Sequence, residues 1–158
     1  MDKNLKKRYE DLKAKVTVRA DDFASLMDFI ETKTAWLTTP ASTRFHLSRE
    51  NGLLEHSVNV AETLLRMKAA LHPLIEDESC VIVALLHDLG KVGMPGESLY
   101  IKNEPTERQA RAGYGPTYPY RYNSDLTYSA ALKLYSGLIV LTISAVSPIF
   151  AMISSMGL

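Results

Sequence analysis

Cysteine is nearly absent from this chain. The single thiol, Cys80, excludes an internal disulfide and any zinc site built from several cysteines. A reducing, cytoplasmic setting is the expectation that follows. Cys80 lies in an apolar run and reads as a small buried hydrophobe. Net charge is absent too, because eighteen Lys and Arg offset eighteen Asp and Glu. No overall field therefore draws the chain to nucleic acid or an anionic membrane. The N-terminus carries charges and no apolar core, so no signal peptide is expected there, and no internal repeat is visible.

What is present is an ordinary globular composition, 46% hydrophobic and 23% charged over 158 residues. That length favours one domain with room for a real core. Residues 1–20 form a basic helical lead-in, with Lys3, Lys6, Lys7, Arg8, Lys13, Lys15 and Arg19 against Asp2, Glu10 and Asp11. Such a segment could touch a polyanion, but a solvated helix face is its commoner fate. Residues 21–135 carry the main pattern. After Lys133 no charged residue follows, through "LYSGLIVLTISAVSPIFAMISSMGL". A membrane span, a buried helix pair and a degenerate end are the three readings of that tail; Pro148 and several serines weaken the first.

The middle of the chain reads as helices. "ADDFASLMDFIETKTAWL" has Asp21 or Asp22 as its cap and Phe23, Leu26, Phe29 and Ile30 at helical spacing. "TTPASTRFHLSRENG" breaks the pattern. In "LLEHSVNVAETLLRMKAAL", Leu53, His56, Val60, Leu64, Met67 and Leu71 fall on one stripe, and His72-Pro73 ends the helix. Asp77 or Ser79 caps "CVIVALLHDL", and Gly90 suits a left-handed closing residue. Residues 91–128 lose the helical period. Five tyrosines between Tyr114 and Tyr128 favour an ordered flap or short hairpin within this long irregular loop.

His56 and His87 would each, taken alone, pass for a core histidine. Asp88 changes that reading. A carboxylate at a helix C-terminus opposes the dipole, and no basic residue precedes it within the helix. A bound cation resolves both costs. Adjacent helix positions lie about 100° apart, so His87 and Asp88 can share an ion off the helix end, with His56 as a third ligand. Imidazole with carboxylate suits one divalent ion among Mn, Fe, Co, Ni, Zn and Mg.

"GLLEHSVNVAE" followed by "LLHDLGKVG" resembles the HD-domain superfamily, named for its tandem His-Asp. The resemblance covers roughly residues 20–135 and implies an all-α helical bundle and divalent-metal phosphohydrolase activity. "TTPASTRFHLSRENGLLEHS" looks like the subgroup of exoribonuclease-associated and small phage or bacterial HD hydrolases. By this resemblance His56, His87 and Asp88 bind metal, and Lys91 contacts substrate phosphate, where a point charge suits an oxygen. Its other reading is a cation complementing a helix C-terminus. His46, in "RFH", matches a histidine near the cleft, or else anchors its loop.

The family's fourth ligand, an aspartate on a later helix, has no counterpart. The matching places fall near Ala130 and at Ser154 or Ser155, and after Asp125 there is no Asp, Glu or His. Asp125 could be recruited in its stead. On this hypothesis residues 136–158 are a degenerate or frameshifted end, which sequencing of the gene past codon 135 tests.

The expected function is hydrolysis of a phosphoester in a phosphorylated small molecule, a nucleotide or a nucleic-acid end, with no clear protein partner. The ion-activated water attacks, Lys91 steadies the departing charge, and Asp88 serves as ligand and candidate general base. A catalytically impaired HD scaffold that binds a nucleotide or a protein is the alternative. A protein tethered to a membrane by its tail is the third.

Overall fold

The computed structural model describes residues 1–126. The apolar tail and its boundary near residue 135 lie outside the described residues. Four helices, α1 (Lys3–Lys13), α2 (Ala20–Lys33), α3 (Gly52–Leu71) and α4 (Asp77–Leu86), form the body. A 3-10 turn (Leu89–Val92), strand β1 (Tyr100–Lys102), helix α5 (Glu107–Arg111) and strand β2 (Tyr120–Tyr122) follow. The expected all-α bundle with an irregular, hairpin-bearing loop is what the chain adopts.

Helix α1 buries Leu5, Tyr9 and Leu12, an i, i+4, i+7 stripe. Three of its cations are paired: Lys7 with Asp11, Lys13 with Glu10 and Glu31, and Arg8 with Glu62. Arg8 grips both Glu62 oxygens and Asn59 Oδ1, which pins α1 across α3. Helix α2 begins at Ala20 with Arg19 in the capping position, so Asp21 and Asp22 occupy its first turn. There they still complement the helix dipole. Met27 joins Phe23, Leu26 and Ile30 in the core, whereas Phe29 is only half-buried.

The buried face of α3 is rotated from the expected stripe. Leu53, Leu54, Ser57, Val58 and Ala61 are buried, while Met67 and Leu71 are exposed. Packing of α1 on one flank and α4 on the other turns the core-facing arc toward Leu54 and Val58. His56 is left at its margin. Helix α3 ends at Leu71, with His72 as its cap, as the His-Pro pair requires.

At the start of helix α4, Glu76 and not Asp77 or Ser79 takes the capping position, and its side chain makes no capping hydrogen bond. Asp77 pairs with Lys68 at 2.6 Å. Buried Glu78 accepts from the backbone N–H groups of Thr17 and Val18 at 2.6 and 2.7 Å and from the Arg19 guanidinium, which ties the α1–α2 junction to the start of α4. Cys80 is buried, as expected.

Gly90 does not take the left-handed conformation. His87 keeps right-handed helical angles and the chain tightens into the 3-10 turn, so no reversal is needed at residue 90. The reversal comes at Gly93, with φ +86°, where a Cβ would stand 2.2 Å from the Glu97 carbonyl oxygen.

In the loop, β1 and β2 pair antiparallel, Tyr100 opposite Tyr122. Between them α5 is an unexpected helix. Thr106 and Gln109 form a reciprocal capping box at its start, a T-x-x-Q signal legible in the sequence.

Candidate metal centre

Five residues separate α3 from α4, too few for anything but a reversal. The second turn of α3 therefore faces the last turn of α4, and His56 meets His87. Their Nε2 atoms stand 3.3 Å apart. Each is 3.4 Å from Asp88 Oδ2. Three donor atoms thus form a nearly equilateral triangle.

That triangle fits a metal ion. With bonds of about 2.1 Å, a tetrahedral ion holds its ligands about 3.4 Å apart. Two imidazole lone pairs aimed at each other beside a carboxylate oxygen repel unless a cation or proton lies between them. The tautomer is set as well. His87 Nδ1 lies 2.7 Å from the Ala84 carbonyl oxygen, where it donates, leaving Nε2 free as a ligand atom. His56, His87 and Asp88 can hold one divalent ion.

Local electrostatics favour the ligating form of His56 and Asp88, and favour the protonated form of His87. Burial lowers the pKa of His56, against the opposing charge of Asp88. The hydrogen bond with Asp88 raises that of His87, while His87 and Lys91 hold the Asp88 carboxyl well below the usual carboxylate range. Asp88 immediately precedes the 3-10 turn that follows α4. Lys91, one turn on, donates to Asp88 Oδ2 at 2.7 Å. Two further ammonium protons stay available to a ligand.

His46 arrives on the loop between α2 and α3. Ser42 Oγ donates to the His46 carbonyl at 3.0 Å and accepts from the Phe45 N–H at 2.9 Å, so one hydroxyl fastens the turn. The His46 ring then lies 5.3 Å, centroid to centroid, from that of His56. Backbone anchoring and proximity to the cluster are both present in this one residue. The loop closes on Gly52, whose missing Cβ leaves space for the Leu47 carbonyl.

Asp125 is not in the cluster. Its N–H donates to Asn123 Oδ1, closing an exposed turn. Ala130, Ser154 and Ser155 lie outside the described residues. Among the described residues, no helix is long and apolar enough to cross a membrane.

Residues 53–134 match the HD domain. The match spans more than half of the chain, and the chain belongs to that family. No curated protein and no solved structure matches it.

Proposed function

We propose that this protein is a metal-dependent phosphohydrolase that cleaves a phosphoester of a nucleotide or a nucleic-acid end. The donor triangle of His56, His87 and Asp88 carries the reading, within a chain of the HD family. When bound, a divalent ion polarises a phosphoryl oxygen and lowers the pKa of water. His56 and His87 contribute neutral nitrogen donors and Asp88 a charged oxygen.

Lys91 orients Asp88 and directs its remaining protons toward a phosphate, steadying the charge on the departing oxygen. His46, beside His56, offers a further polar contact to substrate. Asp88 is better suited to ligation than to proton transfer, since its Oδ2 is already shared among His56, His87 and Lys91. Placement in the subgroup of exoribonuclease-associated and small phage or bacterial HD hydrolases belongs to this proposal and draws support from residues 38–57.

A scaffold that binds without cleaving is the second reading. It is favoured by one observation: among the described residues the converging set stops at three donors.

Phosphate release decides between the two. Purified full chain, supplied with manganese, is incubated with p-nitrophenyl phosphate and with nucleoside monophosphates, and the His87→Ala variant serves as control. The hydrolase reading expects release by the parent chain and at least a hundredfold loss in the variant. Metal bound by the parent without release leaves the scaffold.

A further inference from the structure

Phe45 and Tyr118 are aromatic side chains 70% and 48% exposed, and neither contributes to the core. Arg44 joins them. Its guanidinium carbon lies 4.8 Å from the Phe45 ring centroid and 5.4 Å from that of Tyr118. The two aromatics come from separate segments, and the backbone holds those segments together. The Tyr120 N–H donates to the Thr43 carbonyl at 3.3 Å. Asn103 fixes the far side through the Pro119 and Tyr118 carbonyls, both at 2.9 Å.

The same short run that carries Arg44 and Phe45 carries His46, whose ring abuts His56. An exposed cationic and aromatic patch therefore begins one residue from His46, whose ring neighbours a member of the metal cluster. Water solvates an apolar ring poorly, so an aromatic pair held outward beside a polar centre is poised for a flat partner. Nucleobases have that shape, and any base offers a π-face to stack on aromatic and guanidinium groups.

We infer that Phe45, Arg44 and Tyr118 form the subsite for the base of a nucleoside monophosphate whose phosphate lies at His56, His87, Asp88 and Lys91. This deepens the proposed function and rests on it. Phe45 and Tyr118 supply the stacking surface. Arg44 sets the distance between them and directs N–H donors to the edge of the base. These residues determine specificity and take no part in bond breaking.

The test compares two probes that share a sugar phosphate and differ in the base. Adenosine 5′-monophosphate and ribose 5-phosphate are titrated calorimetrically into the full chain in the presence of magnesium. The same titrations follow for Phe45→Ala, Tyr118→Ala and Phe45→Trp. Stacking on one aromatic changes affinity by roughly five- to a hundredfold.

The subsite expects adenosine monophosphate to bind at least tenfold more tightly than ribose 5-phosphate. That ratio falls at least fivefold in each alanine variant, with ribose 5-phosphate unaffected, and is retained in Phe45→Trp. Equal binding of the two probes by the parent chain, or an unchanged ratio in both alanine variants, overturns the subsite and leaves the hydrolase reading standing. Binding of neither probe, together with no phosphate release, overturns both.

Discussion

The carbonyl oxygen of Leu47 stands 2.0 Å from where a Cβ on Gly52 would lie. Leu47 itself takes a left-handed φ of +50°, and its carbonyl accepts from the Ala41 N–H at 3.1 Å. The loop that delivers His46 is therefore seated against the first residue of α3. A methyl group there would strike backbone, which cannot rotate away.

Gly52→Ala is expected to destabilise the fold by about 2 kcal/mol or more, within the usual cost of overpacking. It should also displace the 42–47 turn and weaken whatever His46 contributes. Chemical denaturation measures the first effect. A variant as stable as the parent would show that the loop is not seated on α3 in this way.

Glu78 is the most heavily committed carboxylate in the described chain. Burial raises its pKa, but the Arg19 guanidinium and the N–H groups of Val18, Thr17 and Arg19 outweigh that, and the net shift is downward from 4.5. The group is more acidic folded than unfolded, so its ionised form stabilises the fold above pH about 4.5. That contribution drains away as the pH falls through the lower, folded value.

Glu78→Gln is expected to cost about 3 kcal/mol near neutral pH, because it leaves Arg19 half-buried without its counter-charge. The penalty should shrink as the pH falls below about 4.5. Thermal unfolding across that range measures it, and a pH-independent penalty would remove the carboxylate from the account of acid stability.

The bundle and the trio able to hold a metal were legible in the sequence, for two different physical reasons. Helical period and the His72-Pro73 break survive folding because they are local properties. His56, His87 and Asp88 were legible because a carboxylate at a helix end with no basic residue before it demands a partner. The rotation of α3 was not legible, since which apolar arc faces inward depends on where α1 and α4 pack. The expected Gly90 reversal failed likewise: a glycine allows a positive φ without requiring one, and the 3-10 turn postponed the reversal to Gly93. The clustering of Arg44, Phe45 and Tyr118 was hidden by the more than seventy residues between its two segments.

Trp36 is fully buried and donates from Nε1 to the Tyr9 hydroxyl at 3.0 Å. Tyr9 in turn donates to Glu31 Oε1 at 2.8 Å, as does Lys13. The chain of donors links α1, α2 and the loop after α2. Tyr9→Phe removes its middle and strands the indole N–H in the core, at a cost of about 1–3 kcal/mol. Trp36→Phe, which removes the donor along with its need, should make the further loss of the Tyr9 hydroxyl cheaper. A double-mutant cycle by denaturation measures the coupling, and additive effects would dissolve the network into independent contacts.

Two imidazole nitrogens and a carboxylate oxygen held 3.3–3.4 Å apart repel or compete in the absence of a cation, so an ion should act first on stability. Binding to the folded state alone contributes about 2.7 kcal/mol when the free ion is at a hundred times its dissociation constant. For a domain of this size each kcal/mol moves the melting temperature by about 2–4 °C. Protein freed of metal by a chelator and then given manganese or zinc should therefore melt about 5–10 °C higher. His56→Ala, His87→Ala and Asp88→Ala should each abolish most of that rise while melting, metal-free, close to the parent. A single equivalent of ion, counted by elemental analysis of the parent and lost in the variants, completes the expectation. Equal upward shifts in the parent and all three variants would place the ion elsewhere, and the donor triangle would then be an arrangement of the fold with no metal to serve.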